Sequence, residues 1–329
     1  MTNVLITGIS GFVGSHLAEY VLTYLDVRLY GIVRYRSNLK NIEHIKNKVT
    51  LIEADLRDLS SLIKGLNGID LNRIFHLAAN SYVPFSWRAP SDVIANNVIG
   101  EANLFEALIH LFGKDDVKKI KIQIAGSSEE YGLVYHNEIP INENNPLRPL
   151  SSYGVSKIAQ DFLALQYAKS YGMQIVRTRA FNHTGPRRGE FFMTSSFAKQ
   201  IAEIELGLRK PILFHGNLDA IRDFTDVRDI VRAYWLALDY CGDFKDSDNN
   251  VFNIGQGIGW SVKTILNILL QYTSFYVRLK LDENRMRPSD VPILICNSEK
   301  FRQLTGWKPT IKIDKTMEDL LNYWRKELK

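Results

Sequence analysis

Tyr153 and Lys157 lie four residues apart in the stretch SSYGVSK, a spacing that puts both side chains on one face of a helix. A phenol with a pKa near 10 is a poor base at neutral pH. A lysine ammonium about 4 Å away, at an effective dielectric near 20, is worth roughly 4 kcal/mol, or some three pKa units. The pair therefore predicts a Tyr153 that takes a proton from a substrate hydroxyl while the carbon bearing it gives hydride to a nicotinamide. Upstream, Gly126-Ser127-Ser128-Glu129-Glu130-Tyr131-Gly132 follows the apolar run KIKIQIA. Ser and Gly suit a tight turn, but two adjacent glutamates at the end of a buried strand are costly unless solvated.

A second constellation opens the chain. Gly8, Gly11 and Gly14 frame Phe12 and Val13 between a strand and a helix. Glycines there permit a tight turn, close backbone approach to a pyrophosphate and close helix–strand packing, while the helix N-terminus offers free N–H groups. An NAD site usually carries Asp or Glu about twenty residues later. This chain instead has Arg34 and Arg36 at the end of the second strand, which suit a 2′-phosphate and favour NADP over NAD; two solvated loop arginines are the alternative. Asp55-Leu56, after the third strand, is either an adenine contact or an ordinary turn.

Strand-like and helix-like stretches alternate around these residues. NVLITG, RLYGIVR, VTLIEADL, RIFHLAAN, KIKIQIAG and QIVRTRAFN are predicted strands; helices are predicted for GSHLAEYVLTYL, from about Ser91 to His110, and from about Tyr153 to Tyr171. Such alternation implies a parallel sheet covered on both faces. Beyond Asn182 the rhythm loosens, with a helix in SSFAKQIAEIELG, a short strand in PILFHG and a terminal helix after GWKP. The expected fold is an α/β doubly wound, Rossmann-like sheet with a smaller C-terminal α/β lobe. Residues 1–181 form the nucleotide-binding domain, residues 182–329 mainly the substrate lobe, and the ligand lies between them.

With 329 residues, 45% apolar and 23% charged, the chain has the composition of a soluble globular protein. No apolar stretch reaches the ~18 residues needed to span a bilayer, and MTNVLITG lacks the features of a signal peptide. Cys241 and Cys296 have neither metal-ligand spacing nor a disulfide framework, so a reducing, cytoplasmic setting and no bound metal are expected. The net charge of +5 is spread among 36 acidic residues, which argues against nucleic acid as a partner.

The stretches GISGFVG, HLAAN, NNVIG, GSSEEYG, SSYGVSK, FNHTGPRRGE, RDFTDVRD and RPSDV together resemble the extended short-chain dehydrogenases/reductases, in particular the GDP-mannose 4,6-dehydratase and GDP-4-keto-6-deoxymannose reductase group. The resemblance runs from VLITG to the terminal TGWKP. It implies cofactor contacts at Ala78, Ala79 and Asn97, and substrate contacts at Ser81, Asn182, Lys199, Arg222, Arg287 and Asp290. Ser127 is implied to bond the reacting sugar oxygen, Glu129 to be the dehydratases' acid–base residue, and Glu130 to face solvent or a lobe contact. Arg187 and Arg188 are implied to hold phosphate or an adjacent subunit, and the aromatics of YWLAL to be core. A 4,6-dehydratase acting on a GDP-sugar is the leading expectation; GSSEEYG, NHTGP and RDFTDVRD are similar to the reductase forms, which remain the alternative with heptose dehydratases and epimerases. The group's members usually form homodimers or homotetramers.

Overall fold

The computed structural model describes residues 1–240, 248–286 and 291–329, so Cys241, Arg287 and Asp290 lie outside the described residues. In β1 (Thr2–Thr7), Val4 and Ile6 pack into one core and Leu5 into another, all fully buried. That period-two alternation, apolar on both sides, is what a central strand covered on two faces requires. The chain then winds through α1 (Phe12–Tyr24), β2 (Val27–Val33), β3 (Val49–Glu53) and α2 (Leu59–Leu66), and crosses back to β4 (Arg73–His76). Three helices follow: α3 (Val83–Arg88), α4 (Pro90–Ile94) and α5 (Gly100–Asp116). Next come β5 (Lys121–Ser127), α6 (Ser152–Tyr171) and β6 (Gln174–Ala180).

The single helix predicted from about Ser91 to His110 is divided. Between α4 and α5 runs a π-helical turn, Ala95–Ile99, in which Asn97 is fully buried. π-turns concentrate at functional sites because they re-aim side chains within a continuous helix.

Later segments form the lobe and then return to the sheet. β7 (His183–Thr184), α7 (Met193–Glu205), β8 (Ile212–His215), β9 (Ile221–Asp223) and β10 (Thr225–Asp226) lead into α8 (Val227–Tyr240) and β11 (Val251–Ile254). β11 completes a seven-stranded parallel sheet of order β11-β6-β5-β4-β1-β2-β3. α1 and α8 cover one face through Leu17, Val21, Val231 and Tyr234; α2, α5 and α6 cover the other through Leu62, Leu104, Leu108 and Ala164. The strand order reverses between β1 and β4, which opens a crevice at their carboxyl ends.

The remaining elements are β12 (Gly259–Ser261), α9 (Val262–Gln271), β13 (Arg278–Leu281), β14 (Ile293–Leu294), α10 (Glu299–Thr305) and α11 (Ile313–Glu327). α7, α9 and α11 bury a separate core around Phe197, Ile201, Ile265, Leu269, Met317 and Leu321. β12 and β14 flank β9, and β13 pairs with β8. Strands of two to four residues leave little trace in sequence patterning, and β13 is exposed along its whole length, so neither periodicity nor burial announces them.

Candidate active site

At the mouth of the crevice, Thr7 Oγ1 accepts N–H bonds from Leu77 and Ala78, both at 3.1 Å, and pairs with His76 Nδ1 at 3.0 Å, which ties the end of β1 to the end of β4. The backbone then turns at Gly8, whose φ of +70° is a left-handed conformation that glycine adopts without strain. A Cβ on Gly8 would stand 2.9 Å from Ala78 Cα, and one on Gly14 only 2.3 Å from the Gly8 carbonyl oxygen. α1 starts at Phe12 with no side-chain cap on its first-turn N–H groups. This cradle fits a dinucleotide pyrophosphate: free donors at a helix N-terminus, and a floor that any larger residue would fill.

A cleft of about 410 Å³ extends from this loop. Gly8, Gly11, Phe12, Val13, Gly14, Arg34, Asp55, Leu56, Ala78, Ala79 and Ser81 line it, together with Ser127, Glu129, Tyr153, Lys157 and Asn182. Arg34 follows β2 in a turn closed by its N–H bond to Ser37 Oγ at 3.0 Å, and Ser37 shares the lining. Arg57 holds the Asp55 carboxyl below its ordinary range and occupies both its oxygens.

Two predicted cofactor residues lie elsewhere. Arg36 is exposed outside the lining and stacks over Tyr35 at 5.2 Å. Asn97 is buried beneath the cleft, where its amide accepts from Asn80 N at 2.8 Å and donates to Ser156 Oγ at 2.9 Å, bracing the π-turn against α6; its neighbour Asn96 reaches the lining.

The two glutamates of GSSEEYG diverge. Glu129 faces the cleft. Glu130 turns into the core rather than to solvent or a lobe contact: it is fully buried, accepts the Ser127 N–H at 2.7 Å, and lies 2.9 Å from Arg179 Nε. A guanidinium and a backbone donor offset its burial, which together with Asp161 still pushes it above the ordinary carboxylate range. The inward turn sets Ser127 and Glu129 on the wall. The N-terminus of α6 packs closely behind, a Cβ on Gly154 standing 2.6 Å from the Glu129 carbonyl oxygen.

Ser151 caps α6 by accepting from Gly154 N at 3.0 Å, and one turn on Lys157 is buried. Its ammonium donates to the Ala125 carbonyl and to Gln160 Oε1, both at 2.8 Å, and lies 5.9 Å from the Tyr153 ring centroid. The expected lowering of Tyr153 by its lysine is not what this geometry produces. Burial pushes the phenol up; the hydrogen bond from Ser127 and the charge of Arg188 pull it down, while Glu129 and Glu130 add to the rise. Desolvation of the phenolate outweighs the pull of Ser127 and Arg188.

Beyond Tyr153 a second cavity of about 740 Å³ opens toward the lobe, sharing Val83, Asn182, His183, Arg188 and Phe192 with the first. Asn182 Oδ1 is buried there without a hydrogen-bond partner among the described residues. Arg222, on β9, lines this cavity with its guanidinium bonded to the Ile221 and Pro292 carbonyls. Lys199, on α7, also lines it, paired with Glu190 and with Glu203 at 3.9 Å.

Arg187 and Arg188 part company. Arg187, at φ +69°, bonds Glu19 at 3.0 Å and His16 Nδ1 at 2.8 Å, so it clamps the loop to α1. Arg188 stacks over Phe192 at 3.5 Å and Phe12 at 4.9 Å, on the wall common to both cavities. Tyr234 of YWLAL is buried yet lines the nucleotide cleft, so it is more than core. Arg209 and Arg285 add cations to the larger cavity without any motif to mark them, and Ser10 lines the smaller one from between the glycines of GISGFVG. Among the described residues no helix is long and apolar enough to cross a membrane, and no group of three or more His, Cys, Asp or Glu side chains could hold a metal ion.

A doubly wound sheet, a glycine cradle at its switch point and a Tyr-x-x-x-Lys helix beside it define a nucleotide-dependent enzyme of the short-chain dehydrogenase/reductase type. The sequence profile of the GDP-mannose 4,6 dehydratase family matches residues 5–320, and the chain belongs to that family. It is 32% identical to GDP-mannose 4,6-dehydratase of Vibrio cholerae over 96% of this chain and 93% of that one. It is 31% identical to GDP-mannose 4,6 dehydratase of Homo sapiens, covering 97% and 90% of the two chains. The solved structure of RMD from Pseudomonas aeruginosa complexed with NADPH superposes with a TM-score of 0.83 at 26% identity, over 99% of this chain and 100% of that one.

Proposed function

We propose that this chain is a GDP-mannose 4,6-dehydratase that holds NADP and converts GDP-mannose to GDP-4-keto-6-deoxymannose. The observation that carries the reading is the divergence of the two glutamates: Glu129 stands on the cleft wall with Ser127 and Tyr153, while Glu130 supports it from the core. Simple oxidoreduction needs no carboxylate beside its serine, whereas β-elimination does. The names of the relatives support the substrate, and NADPH in the RMD structure together with Arg34 supports the cofactor. In this reading residues 1–181 carry NADP, and 182–329 mainly the nucleotide-sugar, in a cytoplasmic homodimer or homotetramer.

The glycine loop and the α1 N-terminus would hold the pyrophosphate, Arg34 and Ser37 the 2′-phosphate, and Asp55-Leu56 the adenine edge. When bound there, NADP would supply a hydride acceptor for C4 and, once reduced, a hydride source for C6, with no net redox change. Ser127 Oγ holds the C4 oxygen, and Tyr153 Oη takes the proton from that hydroxyl as it becomes a carbonyl. Lys157 supplies positive charge behind the phenolate. The 4-ketone acidifies C5, and Glu129 carries the C5 proton to the C6 hydroxyl, which leaves as water. The proton held on Tyr153 balances the one finally added at C5. Asn182, Arg222 and Lys199 would position the diphosphate in the larger cavity, with Lys199 exchanging its contact to Glu190 for a phosphate oxygen.

A second reading, an NADPH-dependent GDP-4-keto-6-deoxymannose reductase, rests on the reductase-like forms of GSSEEYG, NHTGP and RDFTDVRD. One experiment separates the two. Purified protein is incubated with GDP-mannose and catalytic NADP, without added NADPH, and the products are weighed by mass spectrometry. Loss of one water without net cofactor consumption supports the dehydratase. No reaction there, with NADPH oxidation on the 4-keto-6-deoxy sugar, overturns it in favour of the reductase.

A further inference from the structure

Beneath Lys157 lies a buried polar cluster that the proposed reaction does not use. Glu101, on α5, is fully buried; its Oε2 accepts from Gln160 Nε2 at 2.6 Å, and its Oε1 has no hydrogen-bond partner among the described residues. The same Gln160 amide accepts from Lys157 Nζ through Oε1 at 2.8 Å. One planar amide thus joins a buried cation to a buried carboxyl, and both bonds specify the same orientation of the amide.

The charged neighbours of this pair are otherwise engaged. Asp161, on α6, bonds Arg177 at 2.6 Å and Arg179 Nε at 2.9 Å, and Glu130, in the turn after β5, lies 2.9 Å from that same Nε. His76, at the end of β4, has its Nε2 3.9 Å from Glu101 Oε2, but burial and Lys157 lower it to about 3, so it is neutral. Tyr153 bonds Ser127. Glu101 is therefore the carboxyl whose hydrogen bond leads to Lys157. A cation and a carboxyl, each costly to bury alone, offset one another across the amide.

We propose that Glu101 is a positioning residue for catalysis: through the Gln160 amide it keeps Lys157 charged and aimed along the cleft wall. The catalytic half of this inference rests on the role given to Lys157 above. Burial lowers Lys157 and raises Glu101, while Glu101 and Glu130 hold the lysine up. Removing the carboxylate leaves the ammonium to bear its burial with less support, so Lys157 would lose its proton at lower pH.

The test titrates Lys157 directly, by NMR of protein labelled at the lysine ε-carbons, with the signal assigned by its loss in Lys157→Arg. Glu101→Gln, which keeps shape and an acceptor for Gln160, should lower the midpoint by about one pH unit or more. Gln160→Met, which keeps both charges but removes the bridge, should move it the same way, and Glu101→Asp should move it less. Midpoints in Glu101→Gln and Gln160→Met that superpose on the wild type overturn the inference; if Glu101→Gln does not fold, Gln160→Met decides alone. In turnover of GDP-mannose, the basic limb of the kcat–pH profile should follow the titrated midpoint. A wild-type profile with no fall through that midpoint overturns Lys157's role in the reaction, and with it the catalytic half of the inference, independently of the coupling read by NMR.

Discussion

Arg188 should stabilise a ligand at the expense of the protein, and Arg188→Met separates the two effects. The guanidinium lies against Phe192 and Phe12 on the wall common to both cavities, and burial, partly offset by Tyr153, lowers it to about 10. The cost to the charged form has an upper bound of about 3.4 kcal/mol. Arg188 is only half-buried, so solvent screening reduces that to about 1 kcal/mol. Methionine keeps the stacking volume and removes the charge. In nucleotide-free buffer the variant should melt about 2 °C higher. The same change removes a charge-assisted donor from an anion site, worth about 1.5–3 kcal/mol, or roughly a 10- to 100-fold loss of affinity. Differential scanning calorimetry measures the first effect and isothermal titration with NADP and GDP, separately, the second. A variant that melts lower than the wild type and binds both nucleotides unchanged would refute the argument that this cation is desolvated for a ligand.

Three further outcomes are expected. Gly14→Ala places a Cβ 2.3 Å from the Gly8 carbonyl oxygen. The backbone cannot yield there, so stability should fall by about 1–3 kcal/mol or more in urea unfolding. Gly68→Ala, at φ +75° with nothing within 4 Å, is the control carrying backbone strain alone. Tyr153→Phe should reduce turnover by about 10³-fold or more while NADP affinity in titration calorimetry stays unchanged; turnover near the wild type would exclude Tyr153 as the proton acceptor. His16 and His183 are lowered to about 4 and His76 to about 3, chiefly by burial. Each has a folded value below its unfolded one, so the fold is fully stabilised above pH ~6.5 and loses on the order of 2 kcal/mol per histidine as pH falls toward 4. Urea midpoints unchanged between pH 7 and pH 5 would contradict this.

The sequence by itself determined the sheet and the parts of the site whose geometry is local. Val4, Leu5 and Ile6 alternate between two cores, so β1 had to be central; Gly8, Gly11 and Gly14 admit the tight cradle; Tyr153 and Lys157 share a face because a helix repeats every 3.6 residues. Each of these follows from backbone sterics or period, which a short stretch of chain carries within itself.

Only the tertiary structure decided what depends on partners far along the chain. Glu129 and Glu130 are chemically identical neighbours, and the choice of which one faces the cleft lies with Arg179, 49 residues beyond Glu130, which receives the inward carboxylate. Arg187 and Arg188 are likewise equivalent in sequence until Glu19 and His16 claim the first and leave the second in the cleft. Lys157 was expected to lower the Tyr153 phenol, yet its ammonium donates to Ala125 and Gln160 and burial raises the phenol. Desolvation and hydrogen-bond competition depend on everything packed around a group, and they form only when distant segments are brought together.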